Sequence, residues 1–144
     1  MRRVVIGAGN GNASGVLFDG AATELVRHSV YPVVSVAELW RATSGAAVDG
    51  SDRALERAGE RPGPGESRFY AVRIDPGSEI PLHATPTVDY HCVVAGEVTC
   101  LLEGEEVTVR AGDVLVLQGE PHGWVNRGDE PFISMAVMVN TESE

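Results

Sequence analysis

The chain has 144 residues, of which 11 are basic and 21 acidic, and its formal net charge is −10. All the basic residues are arginines, which excludes a lysine Schiff base, a lysine general base and a P-loop lysine. The length predicts one domain, and the acidic balance argues against a nucleic-acid partner, because phosphate binding needs a basic face.

The first 66 residues predict N-terminal strands and a loop that pack on a later barrel. Val4–Ile6 and Val16–Phe18 are apolar runs that predict a hairpin. The loop between them contains Gly7–Asn12, which is similar to a dinucleotide-binding GxGxxG motif. Asn12 stands where the third glycine belongs and no amphipathic helix follows, so we interpret the segment as a glycine-rich hairpin loop.

The next segment, Val33–Thr43, has features of both a helix and a strand. Ser35 and Glu38 match a capping box, which is typical of a helix start, whereas three valines favour a strand, and we expect a strand. Residues 44–66 are rich in glycine, alanine, proline and charge. They predict a surface loop with about two helical turns at Ser51–Ala58, and both a lid and a disordered segment stay open for this loop.

From residue 67 onwards, short β-branched runs separated by turn residues predict an all-β sandwich or barrel. These runs are Phe69–Ile74, Val88–Val94, Val98–Leu102, Val107–Val109, Val114–Leu117, Gly123–Asn126 and Phe132–Val139.

Cysteine use and hydropathy indicate a protein of the reducing cytosol. Cys92 and Cys100 form no CxxC motif, so we expect two buried free thiols. No apolar run approaches the ~20 residues of a membrane span, and the apolar run at the start is shorter than the about 7–15 residues of a secretory signal. We therefore expect a cytoplasmic protein with no membrane partner.

Two glycine-bounded blocks carry the strongest motif of the chain. They consist of Gly77, His83, Asp89 and Gly96, followed by Gly112, Gly119, His122 and Asn126. This arrangement resembles the cupin family over about residues 67–139, although Thr85 stands where the second histidine belongs and Asp89 replaces a glutamate. The resemblance implies a cupin-type antiparallel β-barrel, a double-stranded jelly roll. Its core would span residues 67–144 and residues 1–66 would add extra strands, all within one domain.

The resemblance implies that His83, His122 and Asp89 are metal ligands. Because alternate side chains of a strand share a face, His91 would point the same way as Asp89 and could replace the imidazole that Thr85 lacks. These four residues suit a divalent Fe, Mn, Ni, Zn or Cu ion. In the alternative, the pocket holds no metal, and Asp89, His91 and His122 are catalytic acid–base groups. In a further alternative, Asp89 orients a ligand histidine and does not bind the ion itself.

Other residues are candidates for a substrate pocket or for the surface. Trp124 and Asn126 share the strand face of His122, and we name both with Tyr90 as pocket residues. Arg73 in an apolar strand could clamp a carboxylate if it points inward, and an outward arginine is the alternative. His28 lies outside the motif, and we expect it on the surface.

The resemblance implies a metal-dependent enzyme that acts on a small organic molecule in bacterial secondary metabolism. Cyclisation, isomerisation, dehydration and lyase chemistry all fit a Lewis-acid metal with proton transfer. Small cupins that act as polyketide cyclases are similar in size and architecture. An Fe(II)-type dioxygenase and a non-catalytic sensing cupin stay open. The resemblance also implies a homodimer built with Val4–Phe18 and Val33–Thr43.

Overall fold

The computed structural model describes residues 1–8, 13–46, 52, 54 and 61–142. Within these ranges the chain forms twelve strands, and every pair of neighbouring strands is antiparallel. They are β1 (Arg2–Ala8), β2 (Ser14–Ala21), β3 (Val26–Arg27), β4 (Val34–Thr43), β5 (Glu66–Ile74), β6 (Glu79–His83), β7 (Thr87–Ala95), β8 (Glu97–Leu101), β9 (Glu106–Arg110), β10 (Val114–Leu117), β11 (His122–Val125) and β12 (Phe132–Asn140).

The last eight strands build the two faces of a double-stranded jelly roll. One sheet has the order β10-β7-β12-β5 and continues with β4 and β3, and the other has the order β6-β11-β8-β9. The all-β cupin-type fold expected from the sequence is confirmed. The seven strand predictions after residue 67 are also confirmed, whereas β3 and β6 were not predicted.

The hydrophobic core lies between these two sheets. Each sheet contributes the inward side chains of its alternating strands, and burial of each large apolar side chain contributes about 1.5–3 kcal/mol. The core cluster comprises Val34, Ile74, Val93, Leu117 and Phe132 from the larger sheet, and Ile80, Val98, Cys100, Val109 and Trp124 from the smaller sheet.

Two of the N-terminal strands, β3 and β4, extend the larger sheet, whereas β1 and β2 form a separate two-stranded sheet. β4 pairs with β5 from Val34 to Thr43, with an irregularity between Glu38 and Trp40. The strand expected at Val33–Thr43 is thus confirmed, because burial of its alternating apolar side chains outweighs the capping box. The β1–β2 hairpin is confirmed as well, and Arg3 ties it to β4 by donating a 3.1 Å hydrogen bond to the carbonyl oxygen of Leu39.

Three expectations about the remaining segments have different outcomes. Cys100 is buried but Cys92 is exposed, so the expectation of two buried thiols is wrong for Cys92, which alternates along β7 with the buried Val93. Gly9–Asn12 of the glycine-rich loop and most of the helical segment at Ser51–Ala58 lie outside the described residues. Among the residues that are described, no helix has the length and apolar character needed to cross a bilayer.

Candidate functional site

A cavity of about 520 Å³ lies between the two sheets. This volume falls within the range of about 300–1,000 Å³ that is usual for small-molecule sites. Strands of both sheets line it, and much of the lining is aliphatic: Val30, Val34, Val36, Val72, Ile74, Ile80, Ala84, Ala136 and Met138. Its polar lining includes all four residues expected as metal ligands, namely His83, Asp89, His91 and His122.

His83 and His122 form a close pair within this cavity. They are register partners on β6 and β11, and their ring centroids are 4.7 Å apart. Each Nδ1 lies near a backbone carbonyl oxygen, at 2.9 Å from Pro81 and 2.8 Å from Glu120 respectively. Because a carbonyl only accepts, Nδ1 carries the proton and the lone pair of each neutral ring is on Nε2. Metal-ligating histidines use this arrangement.

His91 approaches the cavity from the opposite sheet, on β7. Its Nδ1 is 3.1 Å from the hydroxyl of Ser134, a residue with no exposed surface, and its ring lies 5.6 Å from that of Trp124. Burial, reinforced by the positive charge that His122 can carry, lowers the pKa of His91 to about 4. His91 is therefore neutral near pH 7, with one ring nitrogen available to accept a proton or to bind a cation.

Asp89 is buried beside these imidazoles, with 5% of its surface exposed. Burial raises its pKa, and the hydrogen bond from Thr87 and the charges of His122 and His83 oppose that rise. Among the described residues, its Oδ1 has no hydrogen-bond partner. A buried polar atom of this kind calls for a proton, a water molecule or an ion. Thr85, which replaces the expected histidine, also lines the cavity and shares a 2.9 Å hydrogen bond with Thr87.

The donor set fits a divalent cation in its chemistry, since imidazole nitrogen and carboxylate oxygen are ligands for Fe, Mn, Ni, Zn and Cu. In its geometry the fit is partial. Within the part of the chain that is described, no three histidine, cysteine, aspartate or glutamate side chains come close enough to hold a metal ion. The structure thus brings His83 and His122 together and places His91 and Asp89 in the same cavity on the opposite sheet.

The predicted pocket residues separate into one that lines the cavity and three that do not. Trp124 lines it and is 7% exposed. Tyr90 lies on the outer face of β7 and is half exposed, because it alternates with Asp89 and His91. Arg73 is likewise on the outer face of its strand and pairs with Asp75. The expectation that Tyr90 and Arg73 line the pocket is therefore wrong for the described lining.

Asn126 is also placed away from the cavity, although it is 1% exposed. Its side-chain amide donates to the carbonyl oxygens of Glu130 at 2.9 Å and Ile74 at 3.4 Å. Its side-chain oxygen accepts a hydrogen bond from the Gly128 N–H at 3.0 Å. Asn126 therefore satisfies the hydrogen-bonding groups of the turn after β11. Its expected role as a pocket residue is corrected to a structural role.

His28 and Tyr31 are cavity residues that the sequence analysis missed. Both line the cavity, and the rings stack at 5.5 Å with an interplanar angle of 24°. His28, which we expected on the surface, is half-buried, and the turn between β3 and β4 places it in the lining of the cavity. The ring centroid of Tyr31 lies 5.3 Å from that of His83, a residue that is distant in sequence. The apolar periodicity of the segment around Tyr31 does not predict such a contact.

The comparisons with known proteins agree with this architecture. Residues 70–138 match the family described as "Cupin domain". The cupin domain of Schizosaccharomyces pombe Cnp3 superposes with a TM-score of 0.61, at 14% identity, over 96% of this chain and 87% of that chain. At this identity the likeness shows the fold alone. With the jelly roll and the family match together, residues 70–138 belong to the cupin superfamily.

Two curated fungal relatives are similar to parts of the chain. Phomopsin biosynthesis cluster protein D of Diaporthe leptostromiformis is 40% identical over 82 residues, which are 56% of this chain and 43% of that protein. The cupin-domain-containing oxidoreductase srdD of Neurospora crassa is 41% identical over 56 residues, 38% of this chain and 29% of that protein. The chain thus spans less than half the length of these two relatives.

Proposed function

We propose that this protein is an enzyme that uses one divalent metal ion in its cavity to convert a small organic molecule in secondary metabolism. The observation that carries the proposal is the His83–His122 pair. The Nδ1–H group of each ring donates a hydrogen bond to a backbone carbonyl, so each Nε2 lone pair is available to bind a metal ion. These two imidazoles would hold the ion, with His91 or Asp89 as a further ligand. The ion would act there as a Lewis acid that polarises a carbonyl or enol oxygen.

The groups that complete the site are suited to moving a proton. Burial favours the neutral carboxylic acid of Asp89 and the neutral imidazole of His91, because the pKa of Asp89 is raised and that of His91 is lowered. In these neutral forms Asp89 would donate a proton from a carboxyl oxygen, and His91 would accept one at a ring nitrogen. This combination supports redox-neutral chemistry such as isomerisation, cyclisation, dehydration or bond cleavage by a lyase.

The relatives support the biological setting of the proposal and suggest a second candidate. Their names connect one relative to a biosynthesis cluster and describe the other as an oxidoreductase. Both are fungal, so the bacterial setting expected from the sequence receives no support from them. The oxidoreductase name favours, as the second candidate, oxidation by an iron ion and molecular oxygen in the same cavity. If no substrate is converted, the non-catalytic alternative, a cavity that only binds a small molecule, is favoured. The cytoplasmic location stays a prediction.

The test begins with metal content. We expect protein purified without a chelator to carry about one divalent ion per chain, and we expect added Fe, Mn, Ni, Zn or Cu to raise the melting temperature of chelator-treated protein. Less than ~0.2 ion per chain without any thermal shift would overturn the proposal, since a ligand that binds the native state must stabilise it. Oxygen consumption with a converted substrate then separates oxidation from redox-neutral chemistry.

A further inference from the structure

One side of the cavity is a continuous series of aromatic rings. Successive ring centroids are 5.5, 5.3, 4.7, 5.8 and 6.4 Å apart. The series, which we call the ring wall, consists of His28, Tyr31, His83, His122, Trp124 and Phe132, and all six rings line the cavity. It therefore extends from the β3–β4 turn, past the proposed metal ligands, into the hydrophobic core.

This composition distinguishes between ligands of equal size. An aromatic ligand gains edge-to-face or offset-stacked contacts with neighbouring rings at centroid distances of about 4.5–7 Å, in addition to the burial of its area. A saturated ring of the same skeleton gains only the burial. Most of the remaining lining is aliphatic, so burial favours the binding of both ligands equally. The contacts with the ring wall therefore supply the difference in their binding affinities.

The outer end of the ring wall is held in place by its own turn. The N–H groups of Val30 and Tyr31 both donate to Nδ1 of His28 at 3.2 Å. The carbonyl oxygen of Tyr31 accepts a 2.8 Å hydrogen bond from the Val34 N–H, and Arg27 donates to the carbonyl oxygen of Pro32 at 2.9 Å. These bonds hold the backbone of the turn, and the Tyr31 ring itself packs between the rings of His28 and His83. A ring that is already packed loses little entropy when a ligand binds, so Tyr31 is preorganised for contact.

His28 and Tyr31 lie outside residues 70–138, which match the cupin family. The part of the ring wall formed by these two residues is therefore contributed by the N-terminal segment of this chain. Residues that add to a cavity from outside its common core are suited to setting which ligand the cavity accepts, since the core supplies the shared scaffold.

We propose that the ring wall is the subsite for a flat aromatic ring of the substrate, and that Tyr31 determines this specificity. The substrate class is then a small aromatic compound with a carbonyl or hydroxyl oxygen, because the oxygen would meet the polar groups at His83, His122 and Asp89. This inference deepens the proposed function and rests on it for the chemistry. Ring binding itself needs no metal, so the two can be tested separately.

The test compares 2-naphthol with decahydro-2-naphthol, its saturated counterpart, by NMR titration of the full chain in the presence of a chelator. The chain has two tryptophans, of which Trp124 lines the cavity and Trp40 does not. Their indole N–H signals, assigned with a Trp40→Phe variant, report on the cavity and on an internal control. We expect 2-naphthol to shift the Trp124 signal and to bind about tenfold more tightly than the saturated probe.

Two substitutions assign that preference to Tyr31. We expect Tyr31→Leu to weaken 2-naphthol about three- to tenfold while leaving the saturated probe unchanged, and Tyr31→Phe to retain the wild-type affinity within about twofold. Equal affinity of the wild type for both probes, or an equal loss for both in Tyr31→Leu, would overturn the inference. If Tyr31→Leu does not fold, the wild-type comparison of the two probes still decides.

Metal content keeps this test distinct from that of the proposed function. We expect Tyr31→Leu to bind the divalent ion as the wild type does, because Tyr31 is not among the proposed ligands. A wild type that binds the divalent ion but shows no preference for 2-naphthol refutes the ring subsite alone. A preference for 2-naphthol in a protein that binds no metal refutes the proposed function alone.

Discussion

His83 and His122 face each other across the β6–β11 pair, and each donates its Nδ1 proton to the carbonyl of the residue two positions earlier. The same local bond occurs on both strands, with Pro81 and Glu120 as acceptors. Strand pairing sets the 4.7 Å separation of the two rings, and the backbone sets their tautomer. The pair therefore needs no support from the loops of the N-terminal segment to keep its lone pairs available.

This geometry predicts an order of metal affinities among histidine variants. We expect His83→Gln and His122→Gln each to weaken binding of the divalent ion by at least about 100-fold. Loss of an outer hydrogen-bond partner typically costs about 10–100-fold, and loss of a direct ligand should cost no less. Isothermal titration calorimetry with Zn²⁺ and Mn²⁺ measures the affinities.

His28→Gln is the matched control, because it removes an imidazole that lines the same cavity without belonging to the proposed ligands. We expect its metal affinity to stay within about threefold of the wild type. An equal loss in all three variants would show that the ion is not held by the His83–His122 pair.

The motif glycines predict a difference in stability that depends on the space around them. Gly96 and Gly77 have φ angles of 70° and 64°, where a residue with a side chain is strained by about 1–2 kcal/mol. At Gly96 a Cβ would also lie 2.4 Å from the carbonyl oxygen of Pro131, whereas nothing lies within 4 Å of it at Gly77. We expect Gly77→Ala to lower the free energy of unfolding by about 1 kcal/mol and Gly96→Ala by about 3 kcal/mol or more.

Urea denaturation of both variants measures these free energies, and Gly77→Ala serves as the control for the φ angle alone. Similar losses in the two variants would mean that the backbone around Pro131 moves aside at little cost.

The jelly roll could be predicted because its signals are local. Turn glycines and alternating β-branched residues mark the strands between residues 67 and 139, and the alternation along β7 places Asp89 and His91 on one face correctly. The errors at the site have a different origin. The side chain of Asn126 hydrogen-bonds to a carbonyl oxygen of the following turn, and the ring of Tyr31 contacts that of His83 on β6. Tertiary contacts of this kind leave no periodic pattern in the sequence.

The lowered pKa of His91 predicts that the chelator-treated protein loses stability in mild acid. The folded-state pKa is about 4, against about 6.5 for an unperturbed histidine. Between these values the unfolded chain binds a proton that the folded chain does not, so the free energy of unfolding falls as the pH falls from about 6.5 to 4. The full shift corresponds to about 3 kcal/mol. Asp89 partly offsets this fall in acid, because its pKa is raised on folding.

Urea unfolding at pH 7.5, 6, 5 and 4.5 measures this dependence. We expect a shallower decline in His91→Gln than in the wild type, because the variant has no imidazole to protonate on unfolding at this position. Parallel curves for the two proteins would show that another group is responsible for the acid sensitivity.

The outer face of the larger sheet predicts a homodimer with a different interface from the N-terminal segments Val4–Phe18 and Val33–Thr43 that the sequence led us to expect. Four large side chains on β7 and β10 are 50–72% exposed, namely Tyr90, Val94, Val114 and Val116. Val116 is the register partner of Tyr90, so the exposed groups are contiguous, and β10 is an edge strand of the described sheet. A contiguous apolar patch of this kind is typical of a protein–protein interface. Because a two-fold interface uses the same patch on both subunits, a second copy of this chain is a partner of matching chemistry.

Substitution of this patch provides the decisive measurement. We expect the wild type to be dimeric at micromolar concentration in analytical ultracentrifugation. We expect Val116→Glu to weaken the dimer by at least about tenfold, since the symmetry places two like charges in one interface. Val107→Glu, at a 44% exposed valine of β9 in the other sheet, is the matched control and should leave the dimer intact.

A monomeric wild type would contradict the dimer itself. A dimer that resists Val116→Glu would instead place the interface elsewhere, with the exposed valines and isoleucine of the β1–β2 hairpin as the next surface to substitute.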